Sequence, residues 1–270
     1  MNSPDMTPKA ASEASSETVN MKKKPRRGIY LLPNLFTTGC LFSGFFAIVS
    51  ANAGNFEAAA TAIFIAMVLD GLDGRVARLT NTTSEFGVQY DSLADMVSFG
   101  LAPSLVIYQW ALADMGKIGW LVAFVYTAGT ALRLARFNTQ VETADKRFFQ
   151  GLPSPSAAAV VAGLVWLSVD YGVEGSEIGV LAAIITFCAG LFMVSNFRYY
   201  SFKEIDFKGK VPFITLLLAV LVIVFISLDP PQILFGLFLS YMLSGVVLTI
   251  WGIRQKRSER FKEATENKTD

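Results

Sequence analysis

The sequence contains no histidine and only two cysteines. Histidine is the usual general base near neutral pH and the usual zinc ligand, and its absence from all 270 residues excludes both roles. Cys40 and Cys188 both lie inside apolar segments and do not form a metal-ligand spacing, so we interpret them as small packing residues. Any acid-base or metal chemistry in this chain must therefore use carboxylates.

Charged residues are also scarce. They make up 17% of the chain, against roughly 25% in an ordinary soluble domain, whereas 53% of the residues are hydrophobic. Apolar stretches of about 20 residues, the length needed to cross a bilayer, occur repeatedly. The sequence therefore predicts an all-α, polytopic transmembrane bundle of about eight helices. We predict spans at residues 31–51, 56–77, 92–112, 118–137, 154–170, 176–195, 211–228 and 231–252.

The basic residues predict the orientation of these helices. With these spans, Lys117 falls on one side of the membrane and the other 22 of the 23 Lys and Arg residues fall on the opposite side. Since cytoplasmic loops collect Lys and Arg, we expect both termini to be cytoplasmic. The basic clusters could also serve only to set the membrane topology, without any role in binding. A net charge of +1 gives no overall field for nucleic acid, and no nucleic-acid partner is expected.

Four aspartates stand at the end of the second predicted span and the start of the third. They occur in the segments DGLDGRVAR (residues 70–78) and GVQYDSLAD (residues 87–95). Asp70 and Asp73 are three residues apart and Asp91 and Asp95 are four apart, so each pair shares one helix face. Four uncompensated anions at membrane depth would be very unfavourable, which predicts a bound cation. With oxygen ligands alone, Mg²⁺ or Mn²⁺ is expected, and two ions are plausible.

Two arginines leave a simpler interpretation of this segment open. Arg75 and Arg78 could pair with the aspartates as solvated loop residues, although they would neutralise only part of the charge. Four acids with interleaved glycines and an arginine are difficult to produce by chance, which favours a functional site. A cation pathway of a transporter or channel, or a catalytically silent lipid-binding scaffold, is an alternative of a different class.

These two segments together resemble the full signature of the CDP-alcohol phosphatidyltransferase family. The signature consists of Asp70-Gly-x-x-Gly-x-x-Ala-Arg78, a spacer of eight residues, and Gly87-x-x-x-Asp91-x-x-x-Asp95, with Asp73 as its second aspartate. The resemblance implies that the four aspartates hold two metal ions, that Asp95 is also the general base, and that CMP leaves. It further implies a CDP-lipid pocket that contains Asn34, Thr37, Gly74, Ala77, Arg78 and Gly87.

Four further segments resemble the phosphatidylserine synthase branch of that family. They are LPNLFT at residues 32–37, ALRLARFN at 131–138, GLPSP at 151–155 and SNFRY at 195–199. This branch implies transfer of a phosphatidyl group from CDP-diacylglycerol to L-serine, with the active site on the cytoplasmic side. It also suggests a homodimer in a bacterial inner membrane. The same chemistry with glycerol-3-phosphate, inositol phosphate or choline as acceptor remains an alternative.

The acceptor site is predicted from basic residues near the end of the fourth span. A serine carboxylate requires a cation, and Arg133 and Arg136, with Asn138 beside them, are the candidates. Alternatively, these residues only set the membrane topology and contact lipid headgroups. Lys146, Arg147 and Arg198 are weaker candidates for binding the acceptor. The GLPSP segment predicts a helix start, with Ser154 as a candidate cap.

The chain is predicted to have four parts. They are a disordered basic tail (1–28), a catalytic membrane domain of the family (29–204), two additional transmembrane helices (205–253) and a charged cytoplasmic tail (254–270).

Overall fold

The computed structural model describes residues 31–80, 82, 84–139, 148–200 and 213–266. These residues form a bundle of eight helices, which confirms the predicted all-α fold. The helices are α1 (Leu31–Asn52), α2 (Phe56–Thr80), α3 (Glu85–Met115), α4 (Lys117–Thr139), α5 (Ser154–Asp170), α6 (Gly179–Val194), α7 (Phe213–Leu228) and α8 (Pro230–Glu266). The predicted tail at residues 1–28, Lys146 and Arg147 lie outside the described residues.

The helices coincide with the eight predicted spans to within a few residues, apart from two larger differences at their ends. α3 begins seven residues before its predicted span, and α8 continues past residue 252 to Glu266. Within the described part of the chain, α1, α3, α4 and the Pro230–Trp251 part of α8 are long and apolar enough to cross a membrane, and α5 and α6 are shorter apolar helices. Large hydrophobic side chains such as Phe42, Val180 and Ile223 are exposed on the outside, as expected for a surface in contact with lipid.

Helix α5 lies at the centre of the bundle. Residues 157–162, four alanines and two valines, are all fully buried, so this helix is enclosed on every side. Small residues also bring other helices together. A Cβ atom at Gly129 of α4 would overlap the backbone of Gly190 on α6, and one at Gly44 of α1 would overlap Ser98 of α3. Such small-residue contacts are how membrane helices pack closely without a hydrophobic driving force.

Helix α3 contains two π-helical segments, at Met96–Leu101 and Tyr108–Leu112. The first begins immediately after Asp95, and π turns occur often at functional sites. Hydrogen bonds join this segment to two neighbouring helices: the Tyr126 hydroxyl of α4 donates to the Phe99 carbonyl (3.0 Å), and the Ser98 hydroxyl of the segment itself donates to the Cys40 carbonyl of α1 (2.9 Å). Both π segments were absent from the sequence prediction.

Two short strands, one before α5 and one after α6, pair with each other, and they also were not predicted. β1 (Phe148–Gln150) pairs antiparallel with β2 (Arg198–Tyr200). Gly151 follows β1 with a φ of 79°, a left-handed conformation that favours glycine, and a side chain there would overlap the Met193 carbonyl. This tight turn sets the point at which α5 begins.

Candidate active site

The predicted site residues lie at one end of the bundle. The C-terminal end of α2 carries Asp70 and Asp73, and the N-terminal half of α3 carries Asp91 and Asp95. The connection between the two helices is short, and Ser84 begins α3 by accepting a hydrogen bond from the Gly87 amide (3.0 Å). This cap marks the start of α3.

Three of the four aspartates converge. Asp70, Asp91 and Asp95 each offer a carboxylate oxygen, and these three atoms lie within 4.8 Å of one another. All three side chains are half-buried. Asp95 Oδ1 is a buried atom that has no hydrogen-bond partner in the described part of the chain. A cluster of oxygen donors with an unpaired buried carboxylate oxygen fits a hard divalent cation such as Mg²⁺ or Mn²⁺.

Asp73 faces a different neighbour. Its carboxylate accepts a hydrogen bond from the Thr37 hydroxyl of α1 (2.8 Å), and its side chain is buried, with 5% of its surface exposed. The Thr37 hydroxyl also lies 3.1 Å from the Pro33 carbonyl. The role of Asp73 as a metal ligand therefore stays a prediction, and Thr37 is the residue that holds its carboxylate.

The other residues predicted for CDP-lipid binding surround the same end of the bundle. The Asn34 amide oxygen lies 3.6 Å from the position of a Cβ atom on Gly87, so α1 and α3 approach closely there. At Gly74 the nearest atoms to such a Cβ are the Arg78 guanidinium nitrogens, at 4.0 Å, and Arg78 is exposed. The Ala77 carbonyl accepts the amide of Thr82 at 3.0 Å. The binding roles of these residues remain predictions.

Arg133, which is predicted to bind the acceptor, contacts a residue of α5. Its Nη1 donates to the hydroxyl of Ser154, a fully buried residue (2.9 Å), and its guanidinium interacts electrostatically with Asp95. Arg133 Nε is buried and has no hydrogen-bond partner among the described residues. Arg133 and Asp95 thus each have a buried polar atom without a hydrogen-bond partner among the described residues.

Arg136 and Asn138 have surroundings that differ from those of Arg133. Arg136 is half-buried, and its Nη1 has no hydrogen-bond partner among the residues described. Asn138 is exposed and its amide nitrogen donates to the hydroxyl of Ser92 (3.1 Å), the residue after Asp91. Asn138 therefore joins the end of α4 to α3, and its predicted contact with the acceptor stays untested.

Ser154 makes a contact that the sequence prediction missed. The predicted helix start is confirmed, but the prediction of Ser154 as a cap is wrong because Pro153 occupies the cap position and no side chain caps the helix. The Ser154 hydroxyl binds Arg133 instead. No local sequence signal could have indicated this contact, since the two residues lie on different helices.

The fold and the carboxylate cluster define a class: a polytopic membrane protein with an oxygen-donor site suited to divalent cations. Residues 30–195 match the family described as CDP-alcohol phosphatidyltransferase. The chain belongs to the CDP-alcohol phosphatidyltransferase family.

Relatives from several organisms resemble the chain over different lengths. A protein of Helicobacter pylori (strain ATCC 700392 / 26695) is 40% identical over 224 residues, which cover 80% of this chain and 91% of that protein. A Bacillus subtilis (strain 168) protein is 37% identical over 173 residues, 64% of this chain and 92% of its own length. A Mycobacterium tuberculosis (strain ATCC 25618 / H37Rv) protein is 39% identical over 158 residues, 56% of this chain and 55% of its own length. All three carry the name CDP-diacylglycerol–serine O-phosphatidyltransferase.

Proposed function

We propose that the chain is a phosphatidylserine synthase, a transferase of phospholipid biosynthesis. It transfers the phosphatidyl group from CDP-diacylglycerol to the hydroxyl of L-serine and gives phosphatidylserine and CMP. The convergence of Asp70, Asp91 and Asp95 is the observation that carries the proposal. The names of the relatives support serine as the acceptor.

The carboxylates would hold the metal ions. Asp70, Asp91 and Asp95 supply converging oxygens, and Asp73, oriented by Thr37, would supply a fourth carboxylate. Two Mg²⁺ or Mn²⁺ ions are proposed, as the family resemblance implies. Bound there, such ions would neutralise charge on the pyrophosphate and on the departing CMP.

Asp95 is the proposed general base. Its Oδ1 has no hydrogen-bond partner in the described residues and is therefore available to accept the proton of the serine hydroxyl. The serine oxygen attacks the phosphorus that bears the diacylglycerol, the bond from that phosphorus to CMP breaks, and CMP leaves. Because the base is a carboxylate rather than a histidine, positioning of the two substrates should supply much of the rate enhancement.

Arg133 is the proposed partner of the serine carboxylate. Its positive charge acts on Asp95, and we propose that one small acceptor presents its carboxylate to the guanidinium and its hydroxyl to the base. A phosphorylated acceptor would require more cations around the acceptor site. Arg75 and Arg78 are exposed, which argues against their forming such a site. Arg136 and Asn138 remain additional candidates for this pocket. Membership of the family argues against a cation transporter.

The proposed setting is a bacterial inner membrane with both termini in the cytoplasm. CDP-diacylglycerol would enter from the bilayer, and serine from the cytoplasm, where the basic residues cluster. A homodimer is proposed from the family resemblance. The catalytic membrane domain would comprise residues 29–204, followed by two additional transmembrane helices and a charged tail.

The proposal is tested by the lipid product. Purified protein in detergent is incubated with CDP-diacylglycerol, Mn²⁺ and radiolabelled L-serine, and the label in the organic phase is identified by chromatography. Parallel reactions contain labelled glycerol-3-phosphate, inositol phosphate or choline. We expect labelled phosphatidylserine alone. A labelled lipid formed only from another acceptor would contradict the assignment of serine.

A further inference from the structure

The hydroxyl of Ser154 binds Arg133 rather than its own helix. Ser154 is the first residue of α5, Pro153 occupies the cap position, and no side chain caps this helix. Ser154 is fully buried, and its hydroxyl accepts a hydrogen bond from Nη1 of Arg133 on α4 (2.9 Å). A hydrogen bond from a charged donor is stronger than one between neutral groups. The contact therefore restrains one arm of the guanidinium.

The turn that precedes Ser154 is anchored to the end of α6. The Gly151 amide donates to the Phe197 carbonyl (2.9 Å), and the Leu152 amide donates to the Phe192 carbonyl of α6 (2.9 Å). Leu152 is also fully buried. Because the backbone is fixed two residues before Ser154, its hydroxyl has a defined position relative to α6.

Arg133 is held against the same helix. Gly129 lies one turn before Arg133 on α4, and a Cβ atom there would overlap the Gly190 backbone of α6. The Thr130 hydroxyl, next along α4, lies 3.5 Å from the Met193 sulfur of α6. Both partners of the hydrogen bond between α4 and α5 are thus carried by backbone that is fixed on α6.

Hydrogen bonds between α3 and α4 place Arg133 at the level of Asp95. The bonded pairs are Phe99 with Tyr126 (3.0 Å) and Ser92 with Asn138 (3.1 Å). The later residue of α4 meets the earlier residue of α3, so the two helices run antiparallel. Arg133 lies between the two contacts on α4, and Asp95 lies between them on α3. The restrained guanidinium is therefore at the same height in the bundle as the carboxylate cluster.

We propose that Ser154 is a positioning residue for the acceptor: it holds the Arg133 guanidinium in the orientation that binds the serine carboxylate. This role rests on the proposed function, in which Arg133 is the cation for that carboxylate. A guanidinium is a planar fork of five N–H donors, so a restraint on Nη1 limits the directions of the others. One of these donors, Nε, is buried without a hydrogen-bond partner among the described residues. An arginine that is oriented before the ligand arrives loses less conformational freedom on binding.

The test is the substitution Ser154→Ala, which removes the acceptor of Arg133 Nη1. Formation of phosphatidylserine is measured in detergent with Mn²⁺ against the concentration of each substrate. We expect the KM for serine to rise about tenfold, the usual effect of losing one hydrogen bond to a charged group. The kcat and the KM for CDP-diacylglycerol should stay within about twofold, because only binding of the acceptor is weakened. Ser154→Cys keeps nearly the same shape with a weaker acceptor, and it should raise the KM for serine even if the alanine variant does not fold.

Ser168→Ala is the matched control. Ser168 is a buried serine of the same helix, fourteen residues after Ser154 and so about 21 Å further along the axis. The variant makes the same chemical change in α5 and should keep the wild-type KM for serine. Melting temperatures in detergent, measured for both alanine variants, report any loss of stability separately from the KM for serine.

Three results would overturn the inference. They are a Ser154→Ala variant with the wild-type KM for serine, an equal rise in both KM values, and a fall in kcat at an unchanged KM for serine. The last result would show that the contact serves the reaction step and not the binding of the acceptor. A wild-type protein that forms no phosphatidylserine overturns the proposed function, and the inference with it. A wild type that forms phosphatidylserine beside an unaffected Ser154→Ala variant overturns the inference alone.

Discussion

Thr37→Val removes the hydroxyl that holds the Asp73 carboxylate. The Thr37 side chain is 4% exposed and Asp73 is 5% exposed, so water cannot readily replace the lost donor. A hydrogen bond to a charged group contributes about 1.5–3 kcal/mol, and a buried acceptor left unpaired loses a similar amount. Valine has nearly the same shape as threonine, so the substitution changes the hydrogen bond and leaves the packing of α1 on α2 intact.

The variant should weaken metal binding more than substrate binding. Residues that orient a metal ligand typically change metal affinity or activity by about tenfold to a hundredfold when they are removed. If Asp73 is a ligand that Thr37 orients, the Mn²⁺ concentration for half-maximal CMP release should rise by at least about tenfold. The measurement is CMP release against Mn²⁺ concentration at saturating serine and CDP-diacylglycerol.

Two matched variants complete this experiment. Thr37→Ser keeps the hydroxyl and should restore most of the metal affinity. Thr38→Val removes the neighbouring hydroxyl, which is exposed and contacts the Asn34 carbonyl and Tyr90, and should titrate as the wild type does. A Thr37→Val protein with an unchanged Mn²⁺ titration would refute the reasoning, because Asp73 would then need no partner on α1 to act.

Three further predictions concern catalysis and packing. Asp95→Asn should lower the rate of CMP release by at least about a hundredfold while some CDP-diacylglycerol binding remains in a calorimetric titration; retained turnover would remove Asp95 from the role of base. Gly129→Ala should lower the melting temperature in detergent because the new Cβ overlaps the backbone of α6, whereas Gly71→Ala should not, since outside its own helical backbone no described atom lies within 4 Å of the new Cβ; equal effects would contradict the close helix contact. Tyr126→Phe leaves the Phe99 carbonyl without its donor and should lower the free energy of unfolding by about 1–3 kcal/mol, and an unchanged unfolding curve would show that this hydrogen bond contributes little.

The hydrophobic runs predict the helices well because the bilayer fixes their length and composition. Each of the eight predicted spans coincides with a helix, since any apolar stretch of about 20 residues must satisfy its backbone internally. The π segments of α3 could not be predicted in this way. They depend on partners such as Tyr126, which lie on other helices and leave no trace in the local hydrophobic pattern.

The spacing of the aspartates predicts part of the site. Three residues span about 300° of a helix, so Asp73 is turned about 60° from Asp70. Asp70 can therefore face α3 while Asp73 faces Thr37 on α1. The spacing is consistent with this difference, but it does not predict which helix each aspartate faces. Ser154 contacts Arg133 from a different helix, and spacing along the chain cannot show this contact.

The central claim is that the carboxylates of Asp70, Asp91 and Asp95 hold divalent ions that serve serine-dependent release of CMP. The most direct measurement is CMP release by wild-type protein and by Asp91→Asn, with CDP-diacylglycerol and L-serine, after EDTA treatment and again after addition of Mn²⁺. We predict that EDTA abolishes release, that Mn²⁺ restores it in the wild type, and that Asp91→Asn remains inactive at the same Mn²⁺ concentration. Undiminished release in EDTA, or full activity of Asp91→Asn, would contradict the account.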